Sequence, residues 1–147
     1  MKLYFDVCCF GRLFDAQEQP RVKLEAESVL LILKEVYERR YDLISSEIIE
    51  LENDNNPDIE QRNEIRNLLG LSKHRLALGS AEMLRSEDLV KMGFKTYDAF
   101  HIACAESAGA DYFLSTDKKL VGLGEKNKAK LAVSIFNPVE WLRERKR

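Results

Sequence analysis

Residues 95–120 read KTYDAFHIACAESAGADYFLSTDKKL and pair a helix with a strand. The small apolar residues of the first half predict a closely packed helix, which Gly109 ends because glycine tolerates the backbone conformation of a helix terminus. Residues 111–115 then predict a strand. Asp98 lies in the first turn of the helix, and Asp117 lies just past the end of the strand. The stretch therefore places one acid at the start of a helix and another just after the end of the following strand.

The same alternation of helix and strand extends in both directions from this stretch. Apolar residues recur at helical spacing over residues 21–40, which predicts a long helix with one buried face. Strands are predicted at residues 2–6, 42–45, about 75–78, 111–115 and 131–136. Further helices are predicted from Ser45 or Ser46 onward, over 57–69, 80–92 and 138–145. This order predicts a three-layer α/β/α fold with a mainly parallel central sheet of four to five strands.

Length and composition favour one globular domain that spans residues 1–147, with 45% hydrophobic and 33% charged residues. No apolar run has the length of a membrane span, and no leader pattern opens the chain, so a cytoplasmic location is expected. The odd set of three cysteines favours reduced, packed thiols over a disulfide framework. Cys8 and Cys9 have no second cysteine or histidine pair at zinc-ligand spacing.

The net charge of −2 gives no overall attraction for nucleic acid, so such a ligand requires a local basic patch. Lys118 and Lys119 begin a lysine-rich run that could form this patch. A solvated face with no binding role is an equally good interpretation of the run.

Acids follow several of the predicted strands. Asp6 ends the first strand, Glu50 lies in the helix after the second, and Asp117 follows a later one, with Asp98 at a helix start. In open parallel sheets, ligands bind outside the carboxyl ends of the strands, where the strand order reverses. Carboxylates that meet there repel one another unless a cation lies among them. The pattern therefore predicts a metal site suited to a phosphodiesterase.

The order of these pieces resembles PIN-domain proteins, and within them the VapC-type toxin ribonucleases of toxin–antitoxin pairs. The resemblance rests on the strand that ends at Asp6, Ser45 followed by Glu50-Leu51, the Asp98-Ala99 helix start, Ser115-Thr116-Asp117, and the closing Phe136-Asn137-Pro138 turn. It implies one or two Mg²⁺ or Mn²⁺ ions held by Asp6, Glu50, Asp98 and Asp117. It also implies cleavage of RNA to a 5′-phosphate and a 3′-hydroxyl, an antitoxin partner and a homodimer.

Several assignments within this set have alternatives. Glu47 lies one turn before Glu50 on nearly the same helix face, and Glu52 is also close. Thr116 is a candidate donor to substrate or to a bound water, although residues before a helix often serve only as caps. His101 follows Asp98 by three residues, and a packing role is the preferred interpretation for it. Val7 replaces the polar residue that commonly follows the first acid in relatives.

Two other classes of protein compete with an active nuclease. A catalytically silent PIN-like module that binds RNA or protein would be expected to lack one of the acids, and none is missing. A phosphoacceptor receiver domain would need paired acids after the first strand and an acceptor Asp on a middle strand. Val7 stands where the paired acid would be, and Asp98 begins a helix, so this class is disfavoured.

Overall fold

A five-stranded parallel sheet forms the centre of the molecule. The computed structural model describes residues 1–145. The strands are β1 Lys2–Phe5, β2 Asp42–Ser46, β3 His74–Leu76, β4 Tyr112–Leu114 and β5 Ser134–Phe136. Their order is β3-β2-β1-β4-β5, and all four neighbouring pairs are parallel. The predicted α/β fold is confirmed.

Helices connect the strands and cover both faces of the sheet. They are α1 Val7–Gly11, α2 Pro20–Tyr37, α3 Glu47–Asp54, α4 Ile59–Leu69, α5 Ser80–Lys91, α6 Thr96–Ser107, α7 Lys118–Lys126 and α8 Pro138–Arg145. A short 3₁₀ turn, Lys128–Lys130, follows α7. Within residues 1–145, no helix combines the length and apolar character needed to cross a membrane.

The start of one helix and the presence of another differ from the sequence-based expectations. Helix α4 begins at Ile59 rather than at Pro57, because the Asp58 side chain caps it by accepting from the Gln61 amide at 3.1 Å. Helix α7 was not predicted, since its two glycines lower the helical propensity of the segment. Tertiary packing explains it: a Cβ on Gly124 would come within 2.8 Å of Ile135, so glycine lets α7 lie directly against β5.

The alternation of side chains along the central strand divides the core into two. Tyr4 faces the layer that contains α5, α6 and α7, where it joins Phe113 and Ile102. Leu3 and Phe5 face the opposite layer, which contains α2 and α8. All of these side chains are fully buried. Both faces of the sheet are therefore covered, and only its edges and its strand ends remain for function.

The strand order places β1, and therefore its carboxyl end, in the middle of the sheet. From β1 the chain first adds β2 and β3 on one side, and later adds β4 and β5 on the other. The strand order thus reverses between β1 and β4, where a crevice forms in sheets of this type. Asp6 follows β1 directly, residues 115–117 follow β4, and helix α3 follows β2.

Candidate metal centre

Asp6 lies at the bottom of the crevice and is only 7% exposed. The Ser115 hydroxyl donates to its Oδ2 at 2.9 Å, and the Cys8 thiol lies 3.4 Å from the same oxygen. Burial, followed by the charge of Cys8, raises the pKa of Asp6 well above its ordinary value, against the opposing influence of His101 and Ser115. The ionised carboxylate is therefore held in surroundings that disfavour its charge.

Glu52 and His101 face Asp6 across the crevice. One potential ligand atom from each of these three residues lies within 4.8 Å of the others. His101 Nε2 is 3.5 Å from Glu52 Oε2, and the imidazole is completely buried while Glu52 is partly exposed. The three side chains come from α3, α6 and the end of β1. This is the arrangement expected for a small cation site on the carboxyl side of the sheet.

Asp98 and Asp117 line a small pocket of their own, together with Lys95 and Lys119. Partial burial, followed by the charge of Asp117, raises the pKa of Asp98, and the charge of Glu52 acts in the same direction. Asp117 also caps α7, since its Oδ1 accepts from the amides of Lys119 at 2.9 Å and Leu120 at 3.2 Å. The charges of His101 and Glu52 affect the pKa values of both Asp6 and Asp98, so we group the two aspartates in one acidic cluster.

Glu50 does not reach the cluster, which corrects its placement in the predicted site. Its two carboxylate oxygens accept from the Arg75 guanidinium at 2.7 and 2.8 Å. This hydrogen bonding lowers the pKa of Glu50. The alternative, Glu47, is also turned away, because it accepts from the Leu78 amide at 2.8 Å. The acid that α3 contributes to the crevice is Glu52.

Helix geometry explains why Glu52 takes this position. Successive residues of an α-helix are rotated by about 100°, so side chains two positions apart point in nearly opposite directions. Glu47 and Glu50 share the face toward β3 and the segment that follows it. Glu52 points from the other side of α3, toward β1 and α6. Arg75, a basic residue in a predicted strand, was the sequence signal that Glu50 had another partner.

Ser115 rather than Thr116 supports the first acid. Ser115 Oγ bonds Asp6 and also accepts from the Asp117 amide at 3.1 Å, so it connects two of the acids. Thr116 is buried, and its backbone amide donates to Cys8 Sγ at 3.3 Å. Ser115 also supplies the polar support that Val7 cannot give. Within residues 1–145 the Thr116 side chain makes no hydrogen bond to the acids, and its assignment as a donor to substrate or to a bound water stays a prediction.

The adjacent cysteines are packed free thiols, as the sequence indicated. Cys9 is buried and donates to the Leu114 carbonyl at 3.2 Å. Hydrogen bonding with Cys9, supplemented by Ser115 and Thr116, lowers the pKa of Cys8 to about 6. Cys8 thus adds negative character beside Asp6 and increases the demand for a cation there.

Basic residues border the small pocket, while the largest cleft lies elsewhere. Lys95 and Lys119 line the small pocket with Asp98 and Asp117. The largest cleft, about 530 Å³, includes Glu50 and several basic side chains near β3. Its arginines are already engaged with carboxylates, Arg75 with Glu50 and Arg66 with Asp54 at 3.0 Å. We therefore assign the functional site to the acidic cluster and not to the larger cleft.

Comparison with known proteins finds a likeness in structure and none in sequence. No protein-family model matches the chain, and no curated protein matches it. Among solved structures, it is similar to a chain in the crystal structure of VapBC2 from Rickettsia felis bound to a DNA fragment from the promoter. The two chains are 10% identical with a TM-score of 0.57, and the match covers 93% of this chain and 98% of the other. At that identity the likeness shows the fold alone, which is PIN-like.

Proposed function

We propose that the protein is a divalent-metal-dependent endoribonuclease in which Asp6, Glu52, Asp98 and Asp117 hold one or two Mg²⁺ or Mn²⁺ ions. The observation that carries the proposal is the acidic cluster at the strand-order reversal, where the pKa values of Asp6 and Asp98 are both raised. Raised pKa values at converging carboxylates mark a functional site when they lie in a crevice. The PIN-like fold of the chain supports the same proposal.

The donor set fits a hard divalent cation. Mg²⁺ and Mn²⁺ prefer carboxylate oxygens, and the cluster offers four such groups on three sides of the crevice. Burial raises the free energy of the charged Asp6 and Asp98 carboxylates in the folded protein. A divalent cation among them would stabilise the charged form and offset this cost. Glu50, by contrast, already has its cation in Arg75.

The residues of the chain have separate tasks in this proposal. A bound ion would lower the pKa of a water and stabilise the leaving oxygen of the phosphodiester. Ser115 fixes the carboxylate of Asp6, and the guanidinium of Arg21 holds the turn after β4 by donating to the Thr116 carbonyl at 2.7 Å. Lys95 and Lys119 line the small pocket, where an RNA backbone would meet positive charge.

A toxin role with an antitoxin partner, and a homodimer, belong to the same proposal. The structural neighbour is a VapBC2 complex, which supports a partner protein. Helix α2 exposes Leu24, Leu30, Leu31 and Tyr37, and α4 exposes Ile59. Helices with such apolar side chains suit an interface with a second protein.

The test is cleavage of labelled single-stranded and structured RNAs with Mg²⁺, with Mn²⁺ and with EDTA. We expect metal-dependent products from the wild-type protein and none from Asp6→Asn, which removes a ligand charge and almost no volume. Asp88→Asn is the matched control, because Asp88 is exposed on α5 away from the crevice. Its products should equal those of the wild type.

Two results would contradict the proposal. Undiminished cleavage by Asp6→Asn would remove the metal mechanism, since Asp6 is the most buried acid of the cluster. A folded protein that binds RNA, binds neither metal ion and cleaves nothing would identify the chain as a silent RNA-binding module instead.

A further inference from the structure

His101 presents a buried nitrogen to the acidic cluster. The side chain is 0% exposed, and its Nε2 has no hydrogen-bond partner among residues 1–145. Glu52 Oε2 is 3.5 Å from this nitrogen, at the limit of contact and without hydrogen-bond alignment. A buried polar nitrogen left without a partner destabilises the fold, so such an atom calls for an explanation.

The other ring nitrogen of His101 is firmly held. Its Nδ1 lies 2.7 Å from the Tyr4 hydroxyl, which lies 2.7 Å from Ser46 Oγ. Ser46 in turn caps α3 by accepting from the Ile49 amide at 3.2 Å. Tyr4 also meets the imidazole edge to face, with ring centroids 5.8 Å apart. The ring is therefore fixed by β1 and by the start of the helix that carries Glu52.

This hydrogen-bond chain can leave Nε2 with a free lone pair. In one arrangement of the protons, the Tyr4 hydroxyl donates to Ser46 Oγ and His101 Nδ1–H donates to the Tyr4 oxygen, which leaves the lone pair of the ring on Nε2. The tautomer of a histidine is set in this way by the bond that its other nitrogen makes. Histidines that bind metals usually have such a partner on the second nitrogen.

We infer that His101 is a nitrogen ligand of the metal centre, together with the Asp6 and Glu52 carboxylates, and that the centre prefers a first-row transition ion over Mg²⁺. The inference rests on the proposed metal site and adds the identity of one ligand and the class of ion. One ligand atom from each of these three residues lies within 4.8 Å of the other two, so the three side chains can converge on one ion.

The preference for a transition ion follows from the donor. Mg²⁺ is a hard ion that takes oxygen ligands almost exclusively, whereas imidazole suits the first-row transition ions. A site made only of carboxylates would discriminate weakly between Mg²⁺ and Mn²⁺. Replacing one oxygen by a fixed imidazole nitrogen shifts this balance toward the transition ion.

The competing interpretation is a structural histidine whose Nε2–H donates to Glu52. Pulsed electron paramagnetic resonance of bound Mn²⁺ separates the two, because only a ligating imidazole gives a strong coupling to a directly bound ¹⁴N nucleus. The chain has two histidines, and His74 lies on the exposed edge strand, 3.9 Å from Asp42. The protein should be tag-free, so that no other imidazole is present.

Two asparagine substitutions form a matched pair. In His101→Asn the amide replaces the Nδ1 side of the ring, which keeps a partner for Tyr4 and removes the ligating atom. We expect the ¹⁴N coupling in the wild type and in His74→Asn, and its loss in His101→Asn. Calorimetric titration should show that His101→Asn binds Mn²⁺ about tenfold more weakly or worse. Even the loss of a residue that only hydrogen-bonds to a metal ligand typically lowers metal affinity by about 10–100-fold. Mg²⁺ affinity should change much less.

Tyr4→Phe provides a second measurement that does not remove the ligand. It leaves Nδ1 without its partner, so we expect Mn²⁺ affinity to fall by about 10–100-fold while the ¹⁴N coupling remains. If His101→Asn does not fold, His74→Asn decides alone, because its only imidazole is His101.

The outcomes separate this inference from the proposed function. Bound Mn²⁺ without ¹⁴N coupling in the wild type, or with undiminished coupling in His101→Asn, would overturn the role of His101 and leave the carboxylate site standing. A folded wild-type protein that binds neither Mn²⁺ nor Mg²⁺ would overturn both.

Discussion

Helix α3 sends two glutamates to opposite sides, and their surroundings differ in one decisive respect. Glu50 receives both nitrogen donors of an arginine fork at 2.7 and 2.8 Å, and this bonding lowers its pKa. Glu52 faces Asp6 and His101 within the cluster. The acid toward β3 is therefore neutralised inside the protein, while in the proposed function the acids in the crevice would take a cation from outside.

The contrast teaches that an acidic residue near a strand end is informative only when its partner is known. The bidentate ion pair of Glu50 with Arg75 links α3 to β3. The pair is substantially exposed, with 39% of Glu50 and 52% of Arg75 accessible, so it contributes little to stability. Asp6 and Asp98 are costly to the fold for the opposite reason, since burial first and nearby charges second raise their pKa values.

Removing the charge of Glu52 or of Glu50, one at a time, is the strongest test of this comparison. Glu52→Gln should lower RNA cleavage by about 10²-fold or more, because a mispositioned ion forfeits several kcal/mol of transition-state stabilisation. Glu50→Gln should retain cleavage within about twofold and change stability little, because its partner Arg75 is exposed. Initial cleavage rates at saturating Mn²⁺, with thermal melts for folding, measure both.

The reverse ranking would refute the geometric assignment of the crevice acid. A large loss in Glu50→Gln beside an active Glu52→Gln would restore the acid first expected from the sequence. Equal losses with intact folding would mean that both sides of α3 serve the reaction.

A smaller effect is expected at Asp117, which combines a capping role with its place in the small pocket. Asparagine caps helices as well as aspartate, so Asp117→Asn should keep the melting temperature while cleavage falls by about tenfold or more. Asp117→Ala should lose the same activity and, in addition, about 1 kcal/mol of stability. Rates and melts of the two variants separate the charge from the cap. Full activity in Asp117→Asn would leave this residue with the cap alone.

The sequence was sufficient for the fold and for the approximate location of the site. Strands alternating with helices imply a parallel sheet, and acids that follow β1 and β4 must then lie at one edge. Asp6 and Asp117 were named for that reason and Asp98 for its place at a helix start; the structure puts Asp6 in a cluster with Glu52 and His101, and Asp98 beside Asp117 in a small pocket, while their role as metal ligands stays a prediction. Helix α7 was missed because glycines that permit its close packing on β5 also lower its helical propensity.

The choice among the α3 acids required tertiary information. Which face of α3 looks into the crevice depends on where β3 lies, and Arg75 captures Glu50 only after β3 has paired with β2. His101 was left out of the predicted site because a buried histidine on a helix is ordinary in a core. Its orientation depends on Tyr4, which is 97 residues earlier in the chain. No local pattern contains that contact.

The smallest expected effect concerns stability and tests the claim that the crevice acids need an external cation. Because the folded state holds the Asp6 and Asp98 protons more tightly than the unfolded chain does, the contribution of these two residues to the stability of metal-free protein should fall as pH rises from about 4 through the raised pKa values. Asp6→Asn should flatten this dependence and, in EDTA at pH 8, melt above the wild type by about 4 °C for each kcal/mol recovered. Mn²⁺ should make the wild type melt above Asp6→Asn, since ion binding to ionised carboxylates stabilises only the wild type.

Melting temperatures of the two proteins from pH 4 to pH 8, with EDTA and with Mn²⁺, measure these differences. Equal pH dependences of the wild type and Asp6→Asn in EDTA would mean that groups already in the protein stabilise the charge of Asp6, and the difference between the two sides of α3 would disappear.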